Sequence, residues 1–162
     1  MAIGVVLLAL LAYTSFYLIF RNSLRKAERD IMEIFHLKIS KIPALIEIMR
    51  PSVVDEKAFQ TMTKLHTESI IQAYDSVYDL LEHNARVHNE FLFLLKLSVH
   101  MPDLNTQPYF LYLRDFIMRY DRDMQAHFSA YNNAVENWNV FVTTKNFTLL
   151  GYFLPGVSKM RI

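Results

Sequence analysis

The residues of this chain that could carry chemistry are few, and none completes a site alone. Glu33-Ile34-Phe35-His36 has the Glu-x-x-His spacing that puts a carboxylate and an imidazole on one helix face, as in di-iron bundles. Such a centre needs a second copy of the motif and two further glutamates on facing helices. The chain has no second copy, so the plain reading is a surface glutamate near a partly buried histidine. His83 and His88 are five apart, which turns them about 140° from one another on a helix and argues against a shared metal. Asn132, Asn133, Asn137 and Asn139 are the most unusual polar group. A buried amide needs partners, so Asn132 and Asn139, spaced seven apart like Tyr131 and Trp138, read as a hydrogen-bonded layer that fixes helix register, with a partner-recognition surface as the alternative. Asn146-Phe147-Thr148 matches a glycosylation triplet, a pattern too frequent to weigh. There is no cysteine, hence no disulfide framework and no thiolate chemistry. No glycine-rich phosphate loop, nucleophile and base, or metal cluster can be assembled; catalytic residues, cofactor and metal are therefore expected to be none, and no small-molecule substrate is identified.

The elements that hold these residues are expected to be helices. Three glycines and five prolines are too few for a turn-rich β fold, and Leu, Ala, Met, Glu and Lys are plentiful. A net charge of +1 with mixed signs leaves no footprint for nucleic acid. The most telling stretch is Ala2 to Phe20, nineteen residues without a charge. As a helix it covers about 28 Å, close to a hydrocarbon core of about 30 Å, so residues 1–20 read as a transmembrane signal anchor that includes Ile3, Val5, Leu7, Leu10, Phe16 and Phe20. Arg21, Arg25, Lys26 and Arg29 follow it as a basic collar. Positive charge is retained inside, so the expected topology is single-pass with the N-terminus out and the body cytoplasmic.

Residues 21–145 are expected to form a cytoplasmic bundle of long antiparallel helices. Apolar positions from Leu24 to Met49 fall three and four apart, with a kink at Pro43 and a stop at Arg50-Pro51. Ser52 to Asp55 has weak capping-box spacing before a second helix. That helix meets no Gly or Pro before Pro102, but Asp75 to Asn89 is crowded with poor helix formers. If this region is a turn there are four soluble helices; if it is continuous there are three. Met101 to Pro108 reads as the clearest loop. The last helix starts at Pro108, buries Phe110, Leu113, Phe116, Ile117, Tyr120 and onward to Val142, and frays around Thr143 to Lys145. Residues 146–162 form an apolar tail too short to span, in which Phe147, Leu149, Leu150, Tyr152 and Phe153 suit a membrane interface. Only four helices bring that tail back to the bilayer, which favours the four-helix arrangement.

Three segments give the chain a family likeness. One runs from Leu37-Lys38 through Ile42-Pro43 to Leu45-Ile46-Glu47; the second is Pro102-Asp103-Leu104, followed by Phe110 and Leu113; the third is Tyr131-Asn132-Asn133-Ala134-Val135-Glu136-Asn137-Trp138-Asn139-Val140-Phe141-Val142. In their order and spacing behind an N-terminal span, the chain resembles the LemA family of membrane-anchored bacterial helical proteins. It departs from the family pattern at Lys41, at Ala44 and at Thr144 to Phe147. The resemblance implies a four-helix body beneath a membrane anchor, no established enzymatic activity, and a scaffold or membrane-shaping role. The sequence reading is thus a non-enzymatic scaffold or adaptor that binds membrane lipid and a protein partner or further copies of itself. A structural subunit of a larger membrane complex or filament is the runner-up, and an enzyme with a helical metal site the third.

Overall fold

A computed structural model describes residues 2–53 and 56–146, and among them there is no strand. In chain order the helices are α1 (Ala2–Ile39), α2 (Ile42–Met49), α3 (Gln60–Ile71), α4 (Val77–Ser98), the single turn α5 (Pro102–Asn105) and α6 (Pro108–Asn146). Two 3-10 turns, Arg50–Ser52 and Glu56–Phe59, join α2 to α3. The all-α class expected from composition is what the chain adopts. The apolar N-terminal stretch and the first amphipathic stretch are one helix of 38 residues, and α1 is the helix among the described residues that is long and apolar enough to cross a membrane. On it Val5, Leu7 and Phe16 are exposed, and Leu10 and Phe20 half-buried.

The breaks have local causes. Pro43 lies at the second position of α2, where its missing N–H costs nothing, and the helical path is interrupted just before it at Ser40 and Lys41. Pro51 ends α2 through the following 3-10 turn. The long middle segment does divide, at residues 72–76, so α3 and α4 are separate and the four-helix alternative holds. This turn lies at the edge of the expected weak region; Val77 to Asn89 is helical despite its polar crowding. Gln72 ends α3 in an extended conformation, and Ser76 caps α4 by accepting from the Asp79 N–H at 3.1 Å while donating to Asp79 Oδ2 at 2.7 Å.

Four local expectations are corrected. Ser52 does not cap α3, which starts at Gln60 behind Phe59 without a side-chain cap; Asp55 lies outside the described residues. Met101 to Pro108 is not plain loop, because Asn105 Nδ2 donates to the Ser98 and Met101 carbonyls at 2.6 and 3.2 Å, which gives the end of α4 partners and closes α5. α6 does not fray at Thr143 but continues to Asn146. Phe116 and Tyr120 are half-buried rather than core. The tail at 147–162 lies outside the described residues.

The chain divides into two compact units, one drawn from Met1–Asp30 and Ala126–Ile162, the other from Ile31–Gln125. These limits differ from boundaries drawn around the span alone. In the first, the C-terminal part of α6 packs antiparallel on α1: the Trp138 ring lies 5.6 Å from Tyr17, and Phe141 lies 5.4 Å from Tyr13. In the second, α1 and α2 contribute one stripe, Ile31, Phe35, Lys38, Ile42, Leu45 and Met49, all fully buried and spaced by threes and fours. Buried in the same unit are Met62 and Leu65 of α3, Val87, Phe91 and Leu94 of α4, and Leu113 and Ile117 of α6.

Candidate functional site

Lys38 occupies a core position of that stripe with no exposed surface. Three elements meet there. Its Nζ donates to Asp121 Oδ1 of α6 at 2.5 Å and to Asn84 Oδ1 of α4 at 2.9 Å, and His88 Nδ1, one turn further along α4, donates to Asp121 Oδ2 at 2.8 Å. Burial pushes the Lys38 ammonium below its ordinary value, while the Asp121 carboxylate, by charge and by hydrogen bond, pushes it back up. A lysine so enclosed, with its charge matched by a carboxylate only 13% exposed, has no path to a substrate and no free lone pair. It fixes the relative register of α1, α4 and α6.

A second buried cluster lies between α3 and α4. His83 is fully buried and Phe35 meets its ring edge-on, with ring centroids 6.0 Å apart. Arginine can only donate, so the 2.9 Å contact from Arg86 Nη2 makes His83 Nδ1 the acceptor and leaves the proton on Nε2. That N–H points at Ser69 Oγ, 2.8 Å away, and at the Leu65 carbonyl, 3.2 Å away, while Ser69 Oγ itself donates to Leu65 O at 2.7 Å. The serine proton is therefore committed to the backbone and the imidazole already carries one where a base would need a lone pair. Burial, with Arg86 adding repulsion, holds the His83 pKa below its usual value, in keeping with a neutral ring. Despite its residue types, the pair is a structural tie and not a nucleophile with its base.

The histidines weighed from the sequence separate accordingly: His83 faces Ser69, and His88 faces Asp121. Glu33 and His36 are both exposed, and no group of three metal-binding side chains occurs among the described residues. No family model and no curated protein matches the chain. The site therefore has to be read from its own geometry.

The surface offers more than the interior. On α6, Tyr109, Tyr112, Phe116 and Tyr120 form a continuous ladder, with ring centroids 6.3, 5.8 and 4.4 Å apart, and Lys41 Nζ lies 5.3 Å from the Phe116 ring. Tyr109 and Tyr112 are each more than half exposed. Along α3 a groove of about 650 Å³ is lined by Phe59, Thr63, Thr67 and Ile71 between the charges of Arg50, Lys64 and Glu68, and Ile71 is 78% exposed. Ile70 is also exposed.

Of the other residues marked in the sequence, the collar residues Arg21, Arg25, Lys26 and Arg29 are all exposed, and Arg21 lies 5.8 Å from the Tyr17 ring centroid. Leu45, Leu104, Tyr131, Ala134, Val135 and Trp138 are buried, whereas Pro43, Pro102 and Asp103 are exposed at the turns. Asn132 and Asn139 are half-buried on α6, and Asn133 and Asn137 face outward. Sequence reading missed the Lys38 cluster, although the signal was present: steps of three and four from Ile31 and Phe35 to Ile42 and Leu45 require an inward side chain at 38.

Proposed function

We propose that this protein is a non-enzymatic, membrane-anchored scaffold of the LemA type, held single-pass in a bacterial inner membrane with its body cytoplasmic, and that it works by binding a protein partner. The reading rests above all on the stacked Tyr109–Tyr112–Phe116–Tyr120 ladder, whose outer members Tyr109 and Tyr112 are more than half exposed. Tyrosines offer large, stiff contact area with a polar tip, the composition favoured at protein interfaces. The exposed collar and the span add lipid as the second partner, through attraction to anionic headgroups and burial in the acyl region.

A photo-reactive phenylalanine derivative at Tyr112, irradiated in intact cells, tests the ladder. Discrete adducts at position 112 and none from the same probe at exposed Gln125 are expected. An adduct of twice the chain mass identifies a second copy, and other masses an adaptor's partner. Equal, diffuse labelling at both positions overturns the proposal.

A further inference from the structure

The C-terminal turns of α6 pack on the apolar part of α1. Tyr17 has two neighbours of different character: Arg21, the first charge beyond the apolar stretch, lies 5.8 Å from its ring, and the Trp138 ring of α6 lies 5.6 Å from it. Tryptophan and tyrosine gather where hydrocarbon meets headgroups, so this contact marks the boundary. Past it α6 runs antiparallel to α1 and goes deeper, not away. Phe141 sits 5.4 Å from both Phe20 and Tyr13, and Tyr13 is about 10 Å below Phe20 along the helix, a third of the hydrocarbon thickness. Asn146, the last described residue, lies about 8 Å further along α6.

The surface of α6 changes character at the same point. From Ala126 to Asn137 its exposed residues are Ala126, Ser129, Ala130, Asn133, Glu136 and Asn137, four of the six polar; Val140, 59% exposed, is the next. The hydroxyls that follow need no water, since Thr143 donates to the Asn139 carbonyl at 2.8 Å and Thr144 to the Val140 carbonyl at 2.9 Å. Thr14 does the same within the span, donating to the Leu11 carbonyl at 3.0 Å. Internal satisfaction of this kind is what a helix in lipid requires. Between Glu136 and Lys159 the sequence holds one charge, Lys145, and lysine is the charged residue whose long stem best allows a helix end to dip beneath the headgroups.

We infer that α6 from Trp138 onward is embedded in the leaflet next to the collar, paired with the span, and that acyl chains cover Val140. The inference rests on α1 being a membrane anchor. The sequence has no cysteine, so single nitroxide labels can be placed without other changes, at exposed positions that disturb no core: Leu11→Cys, Ser129→Cys and Val140→Cys. The full chain is reconstituted in phosphatidylcholine–phosphatidylglycerol vesicles, and collision with oxygen is compared with collision with a water-soluble nickel chelate. The oxygen-to-nickel ratio at Val140 is expected to match that at Leu11 and to exceed that at Ser129 several-fold. A Val140 ratio equal to Ser129, with Leu11 still high, overturns the inference alone. A low ratio at Leu11 overturns the anchor beneath it. The unsubstituted protein gives an independent check, since Trp138 is the sole tryptophan: brominated lipids should quench its emission more than aqueous acrylamide, and the reverse order overturns the inference.

Discussion

Lys38 shows why residue type alone misleads. Its neighbours in sequence are spaced for a core, and the chain places a charge among them, which is stable only because Asp121 and Asn84 are brought to it from two other helices. Burying an ion pair wins little net energy, because desolvation offsets most of the Coulomb attraction, but removing one partner leaves the other stranded. Lys38→Met is therefore expected to destabilise the fold by about 3 kcal/mol, near the low end for buried pairs because Asp121 keeps His88 and some exposure; that corresponds to a fall in Tm of roughly 10 °C. Asp121→Asn should act in the same direction. The double variant should lose less than the sum of the singles, since neither charge is then alone. Circular dichroism melts of the full chain in detergent decide it: strict additivity, or unchanged single variants, would show that the cluster does not hold the bundle in register. The Ser69–His83 pair teaches the same lesson, because what settles its role is the direction of each proton, imposed by Arg86 and the Leu65 carbonyl.

Helix content and most helix ends were legible in the sequence, because proline positions and three-four periodicity are local physics. Pro51 and Pro108 each mark the boundary expected of them, and before Pro43, where a kink is expected, the helix is interrupted at Ser40 and Lys41. The turn at 72–76 has no proline or glycine, and its signal is the Ser76-x-x-Asp79 cap, which outweighs the poor intrinsic propensity of the residues that follow it into α4. Ser76→Ala should cost about 1 kcal/mol, read as a lowered Tm, and Ser76→Asp should restore most of it by supplying another acceptor at the cap. Equal stability of the Ala and Asp variants would mean that the turn is set by packing alone. The Lys38 and His83 clusters were less legible than the turn, since Lys38, Asn84, His88 and Asp121 are distant in sequence and only the packed helices bring them together. Likewise, Ile70 fits a helical stripe in the sequence but lies two residues before the break and is exposed.

The division into compact units bears on how the chain can be cut. Ile31–Gln125 holds the Lys38 and Ser69–His83 clusters and the stripe from Ile31 to Met49, and about 95 residues suffice to bury a core of their own. The C-terminal part of α6 packs instead on the apolar part of α1, with Trp138 and Phe141 set against Tyr13, Tyr17 and Phe20. Removing residues 2–20 alone takes away those three partners and leaves Trp138 and Phe141 to water, although the remainder keeps its clusters. A fragment of residues 31–125 is therefore expected to be helical, monomeric and cooperative in melting, whereas residues 21–162 should be equally helical but self-associate through the uncovered turns of α6. Size-exclusion chromatography with light scattering separates the cases, and Trp138→Ser with Phe141→Ser in the longer fragment should return it toward a monomer. A disordered 31–125 fragment would show that its core depends on the rest of α1 and α6; a monomeric 21–162 fragment would show that the aromatic contacts with Tyr13, Tyr17 and Phe20 contribute little to covering α6.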